Sequence, residues 1–139
     1  MDSSFFLGLC HPKDAYHDTS VRILKESSKG IYGLIYTSPY VIAETATLIL
    51  IRTQNNNEII VKFYDLLFGT TRIIRVLDWN KAIDEESWTL FKNHNKTAKS
   101  KQEYLSFVDS TNIVFCRKSE LDKIAAFDGD FKPYLNVIS

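Results

Sequence analysis

The chain has 139 residues, with 17 Lys and Arg balanced by 17 Asp and Glu, and 45% of it is apolar. That suffices for one domain with its own core and no covalent staples. The balanced charge excludes a global positive field, so a nucleic-acid partner would have to be met by a local basic patch or through cations. Cys10 and Cys116 form neither a disulfide framework nor a metal-ligand spacing. Both sit among apolar residues, which predicts buried free thiols in a reducing compartment. No apolar run approaches the ~20 residues of a membrane span, and no basic stretch precedes an apolar one at the start. The expectation is a cytoplasmic protein with no membrane partner.

Asp2 followed by Ser3 and Ser4 predicts a helix start, with Phe5 to Cys10 forming a short first helix that Pro12 breaks. Asp14 to Lys29 reads as a second helix, stopped by Gly30, and Ile31 to Tyr36 as a short apolar strand. Ser38-Pro39 places an N-cap and a first-turn proline ahead of a helix running to about Gln54. This helix is apolar nearly all round, which predicts deep burial; its only charge before Arg52 is Glu44. Asn55 to Asn57 is a turn, Glu58 to Phe68 a helix closed by Gly69, and Thr71 to Leu77 a strand. Asp78 or Asn80 can cap a helix from Lys81 to about Asn93. A basic segment follows, with Lys92, Lys96, Lys99 and Lys101 and no acid among them. Gln102 to Arg117 reads as a long helix, Leu121 to Phe127 as a strand, and Leu135 to Ile138 as a last strand after Pro133.

Alternation of strands and helices over the whole length predicts an α/β fold with a mainly parallel sheet covered on both faces. In such sheets ligands bind beyond the carboxyl ends of the strands. Asp128 lies there, Glu44 starts from the same edge, Asp109 can reach it from its helix, and Asp2 precedes the first helix. Asp109 is the only charge between Tyr104 and Cys116. A buried carboxylate is costly unless paired, protonated or bound to metal. Gathered carboxylates suit hard divalent cations such as Mg²⁺, which polarise phosphodiesters and lower the pKa of water. His11, His17 and His94 are scattered in polar segments, which argues against zinc. Bland readings remain for each acid: a helix cap for Asp2, a helix-face ion pair for Glu44, a core hydrogen bond for Asp109, and a turn for Asp128-Gly129-Asp130. Trp79 and Trp88 read as core or interface residues, with base stacking the lesser alternative.

Four segments in this order, Asp2-Ser3-Ser4-Phe5-Phe6, Ser38-Pro39-Tyr40-Val41-Ile42-Ala43-Glu44-Thr45, Leu105-Ser106-Phe107-Val108-Asp109 and Ala126-Phe127-Asp128-Gly129-Asp130-Phe131, resemble the PIN-domain ribonucleases, in particular the VapC-like toxins. The resemblance covers nearly the whole chain. It implies a single PIN-like domain, a three-layer α/β/α fold around a five-stranded, mainly parallel sheet. It also implies Mg²⁺- or Mn²⁺-dependent endonucleolytic cleavage of RNA leaving a 5′-phosphate and a 3′-hydroxyl. The catalytic and metal-holding acids would be Asp2, Glu44, Asp109 and Asp128, with Ser3 and Asp130 as auxiliaries. Lys92, Lys96, Lys99 and Lys101 are candidates for RNA phosphates. An antitoxin is the implied partner, with Phe5 to Leu9 and the surroundings of Tyr16 as its candidate groove. A homodimer is also implied, using the helical surface of Glu58 to Phe68 or Pro39 to Ile51. Family members carry several apolar residues ahead of the first Asp, whereas here only Met1 does. Either the first, central strand is truncated to a stub, or the true start lies upstream. A catalytically impaired PIN fold that binds RNA or protein is the alternative function.

Overall fold

The structure, a computed structural model, describes residues 1–70 and 72–139. The elements run α1 (Ser3–Cys10), α2 (His17–Ser28), β1 (Ile35–Thr37), α3 (Pro39–Arg52), α4 (Asn57–Phe68), β2 (Ile74–Val76), α5 (Lys81–Thr97), α6 (Phe107–Lys118), β3 (Lys123–Ala125) and β4 (Asn136–Ile138), with a single 3₁₀ turn at Lys101–Glu103. No described helix is long and apolar enough to cross a membrane.

Helix starts follow local chemistry. The side chains of Asp2, Ser38, Asn56, Asn80 and Ser106 each accept from a backbone N–H in the first turn of the helix they precede. Asn80, not Asp78, caps α5, which continues one turn past the expected end. Strands are shorter than expected. The predicted strand from Ile31 gives way to a turn in which Gly30 and Gly33 take φ values of 82° and 77°, and β1 begins only at Ile35. The strand expected over Thr71 to Leu77 reduces to Ile74–Val76, and Thr71 lies outside the described residues.

β1 pairs in parallel with β2, Ile35 opposite Ile74, and β3 in parallel with β4, Lys123 opposite Asn136. Where five strands are expected, the described residues form four, in two separate parallel pairs. Met1 and Asp2 stand between them. The Met1 ammonium donates to the Tyr36 carbonyl (2.8 Å), and the Asp2 N–H donates to the Ala125 carbonyl (3.0 Å). These two residues thus bridge the two pairs by one backbone hydrogen bond to each side. Behind them a cavity of about 140 Å³ separates Leu34–Tyr36 from Lys123–Ala125. An isolated two-stranded sheet is marginal in water, so each pair relies on the helices covering it.

α1 is the packing hub. All its residues but Ser4 are buried, and Phe5 and Phe6 are wholly enclosed. Phe6 meets Phe63 of α4 edge-on at 5.3 Å, while Phe5 stacks on Phe127 beyond β3 at 6.0 Å. Enclosing a side chain of this size contributes about 1.5–3 kcal/mol. The carbonyl of Leu9 is satisfied by the Lys62 ammonium of α4 at 3.0 Å. α3 is less buried than its composition predicts. Only the line Val41, Thr45 and Ile49 is enclosed, and Leu50 and Ile51 are exposed. The expected free thiols are present: Cys10 and Cys116 are buried and unpaired with each other.

Gly8 sets the spacing of α1 and α2. A β-carbon there would lie 2.6 Å from the Ser20 Oγ and 3.4 Å from Tyr16. Gly8→Ala is expected to destabilise the protein by roughly 1–3 kcal/mol in urea unfolding. Because the conflict is with one hydroxyl, adding Ser20→Ala should recover part of the loss; strictly additive effects would argue against this contact.

Candidate active site

The four acids come from four separate segments. Asp2 is buried at the start of α1. Its Oδ2 accepts from the backbone N–H (3.3 Å) and hydroxyl (3.0 Å) of Ser4, and its Oδ1 accepts from the Asn112 amide at 3.2 Å. The Ser4 hydroxyl also accepts from the Phe127 N–H at 3.1 Å, one residue before Asp128. Asp2 is therefore a helix cap and a junction between α1, α6 and the end of β3 at once.

Glu44 lies in the second turn of α3, half-buried, and its Oε2 accepts from the Ser3 hydroxyl at 2.6 Å. Ser3 thereby orients one acid from the position next to another. Asp109 sits in the first turn of α6 rather than two turns in, because the helix starts at Ser106 and not near Gln102. It forms a reciprocal capping box, the Asp109 N–H donating to Ser106 Oγ (3.0 Å) and the Ser106 N–H to Asp109 Oδ2 (3.3 Å), and the Ser106 hydroxyl donates to the same Oδ2 (2.7 Å). Asp128 follows β3, and its Oδ1 is a buried oxygen with no hydrogen-bond partner among the described residues.

The electrostatics tie these groups together. Burial pushes the Asp109 carboxyl up to about 7; the Ser106 hydrogen bond opposes this, and the charges of Asp2, Asp128 and Glu44 add to it. Burial, then Asp2 and Asp130, push Asp128 up to about 6. Glu44 is raised by burial and by Asp2, against the Ser3 hydrogen bond. The acids are therefore close enough to disfavour one another's ionisation, the signature of a site gathering like charges. As the side chains stand, no three His, Cys, Asp or Glu among the described residues are spaced to hold one metal ion. Glu44 is held on Ser3 through Oε2 and Asp109 on Ser106 through Oδ2, while Asp128 alone of the four presents a buried oxygen without a partner among the described residues.

The donor set nevertheless fits a hard divalent cation. All four ligand candidates are carboxylates, the preferred donors of such ions. The orphaned Asp128 oxygen lacks the partner that a buried carboxylate requires. Histidine offers no competing site, since His17 Nδ1 contacts the Gly8 carbonyl and His94 is engaged by Tyr134 and the Glu103 carbonyl.

Among the other expected residues, Asp130 is exposed and adjoins Asp128 electrostatically. Lys92, Lys96, Lys99 and Lys101 are all exposed and belong to none of the ion pairs among the described residues. Trp79 is half-buried, its indole N–H on Asp84 at 2.8 Å, whereas Trp88 is 52% exposed. Sequence reasoning missed Asn112, Ser4 and Ser106. The Ser106-x-x-Asp109 spacing is itself a capping-box signal and could have placed the helix start. Asn112, one turn beyond Asp109 and followed by an apolar run, offered only a weaker hint.

This arrangement, short parallel strands whose ends gather carboxylates under helix starts, matches a known class. The PIN domain family matches residues 1–134, and the chain belongs to that family. Among characterised proteins it is similar to the 23S rRNA-specific endonuclease VapC20 of Mycobacterium tuberculosis, represented by two strains. The identity is 29% over 131 residues, which is 94% of this chain and 89% of that protein. Its fold is similar to the crystal structure of Mycobacterium tuberculosis VapC20, described as a sarcin–ricin loop cleaving toxin. The TM-score is 0.77 at 28% identity, covering 95% of this chain and 91% of that one.

The raised acids carry a stability consequence. The folded protein holds a proton on Asp109 up to about pH 7, whereas the unfolded carboxyl releases it near 3.8. Between those values the folded state binds more protons, so stability falls as pH rises through the window and stays low above it, by a few kcal/mol in order of magnitude. In the presence of a chelator, the melting temperature should drop from pH 5 to pH 8, and less steeply for Asp109→Asn. Parallel pH profiles for the two proteins would sink this assignment.

Proposed function

We propose that the chain is an endoribonuclease toxin that hydrolyses RNA phosphodiester bonds with Mg²⁺ or Mn²⁺, the cation held by Asp2, Glu44, Asp109 and Asp128. The buried, partnerless Asp128 Oδ1 carries this reading, because it marks an oxygen poised for a positive ligand among acids that already repel one another. A divalent cation there would supply charge to polarise the phosphodiester and to acidify water. The chain's own residues supply orientation. Ser3 fixes Oε2 of Glu44, Asn112 and Ser4 fix the two oxygens of Asp2, and Ser106 holds Asp109 until a cation competes for it. Asp130 adds negative charge beside Asp128. Lys92, Lys96, Lys99 and Lys101 receive RNA phosphates, contributing affinity rather than sequence choice.

The similarity to VapC20 supports an RNA substrate of the structured-loop kind and an antitoxin partner. A cytoplasmic setting accords with the two free thiols. Exposed Ile51, Val61, Tyr64 and Phe68 on α3 and α4 support a homodimer through that face.

Purified protein given Mg²⁺ or Mn²⁺ and a ribosomal hairpin-loop RNA should cleave it. Asp109→Asn and Asp128→Asn should each lower the rate by at least about a hundredfold, the scale for removing one essential catalytic group. Circular dichroism should remain that of the wild type. Unchanged cleavage by either variant, or equal cleavage in excess chelator, would refute the mechanism. Calorimetric titration with Mn²⁺ should show binding that Asp128→Asn abolishes.

A further inference from the structure

Two exposed aromatic rings each pack on an aromatic residue that lies within two positions of a candidate acid. Tyr16, 48% exposed at the start of α2, lies flat on Phe127 with ring centres 4.2 Å apart and planes 6° from parallel. Phe127 is half-buried, backed by Phe5, and directly precedes Asp128. Trp88, 52% exposed on α5, packs on Phe107 with ring centres 4.5 Å apart. Phe107 opens α6 two residues before Asp109 and meets Tyr40 of α3 edge-on, one turn before Glu44. Each exposed ring is thus held, through one half-buried ring, against the backbone that carries an acid. An aromatic ring left half in water costs hydrophobic burial, and here two are left so, each one ring contact away from a segment that carries a candidate acid.

We propose that Tyr16 and Trp88 are base-stacking platforms that hold unpaired nucleotides of an RNA on either flank of the carboxylates. The proposal rests on the ribonuclease reading and names the substrate as unpaired RNA. A ring with one face on an aromatic neighbour keeps its other face for a base, and stacking tolerates any base identity. Charge along α5 is graded at Trp88: the acids that precede it by a turn are engaged, Asp84 by Tyr40 and Trp79, Glu85 by Lys81 and Glu86 by Lys118, while Lys92 and Lys96 follow it at successive turns in no ion pair among the described residues. Phosphate contacts alone are weak here, because the net charge is zero and the four acids repel the backbone they must approach. Stacking, indifferent to that repulsion, supplies the missing affinity. Unpaired bases can be splayed onto such rings, whereas duplex RNA keeps its bases stacked inside.

Tryptophan fluorescence reads this directly and without cleavage. In a chelator at low salt, a single-stranded RNA of mixed sequence should quench the emission of the wild type. Trp88→Tyr, in which only the half-buried Trp79 emits, should bind the same RNA with little quenching. Trp88→Ala and Tyr16→Ala should each weaken binding by at least about fivefold, and Tyr16→Trp should retain it. Duplex RNA of the same sequence should quench little. Quenching without any metal-dependent cleavage would leave the platforms standing and overturn the hydrolase; cleavage without quenching, or folded Ala variants that bind as the wild type, would overturn the platforms. Trp88→Ala that leaves RNA binding intact but changes self-association in sedimentation would assign the ring to a protein interface and equally overturn them.

Discussion

The buried carboxylate of Asp2 is the constraint on which the rest depends. It caps α1, accepts from Asn112 of α6 and, through Ser4, reaches the Phe127 N–H beyond β3, while its own N–H bonds the Ala125 carbonyl. Helix and strand ends from distant parts of the chain are thereby registered on one side chain. Burial raises Asp109, Asp128 and Glu44, and the Asp2 charge adds to each shift. The group that organises the fold thus also adds to the like charge gathered around the other three acids.

The hydrogen bonds around the acids meet that charge in two ways. Glu44 rests on the hydroxyl of Ser3, next to Asp2, and Asp109 on that of Ser106 in its own capping box. Asp128 has no such resting place for one oxygen. An acid set with both parked and unparked members can be stable in the free protein and still be ready for a positive ligand. The two aromatic stacks add a second requirement to the same backbone, since Phe127 and Phe107 fix exposed rings where they also fix Asp128 and Asp109.

Much of this was legible in the order of residues. Caps and breakers, Asp2, Ser38-Pro39 and Gly69, located helices because each acts within one turn of backbone. The acids stood out because Glu44 and Asp109 interrupt apolar runs. Strand extents were not legible. Ile31 and Tyr32 have strand-like composition, yet Gly30 and Gly33 turn the chain there, and pairing rather than propensity decided where β1 begins. The burial of α3 was overestimated for a similar reason: Leu50 and Ile51 are apolar, but no described element covers their face.

The sequence by itself determined the starts of α1, α3 and α4, the four candidate acids as charges out of place, and an α/β order consistent with the PIN family. Those are local or compositional properties, set by side chains acting on their own backbone and by the desolvation cost of a charge in an apolar run. Only the tertiary structure decided that Asp2 and Asn112, 110 residues apart, share a hydrogen bond. It alone decided that Asp109 rests on Ser106 while one oxygen of Asp128 is buried without a partner, and that Tyr16 and Trp88 are half exposed on Phe127 and Phe107. These depend on which surfaces meet, and that follows from the closing of α1 against α2, α3, α4 and β3 rather than from any one segment's preference.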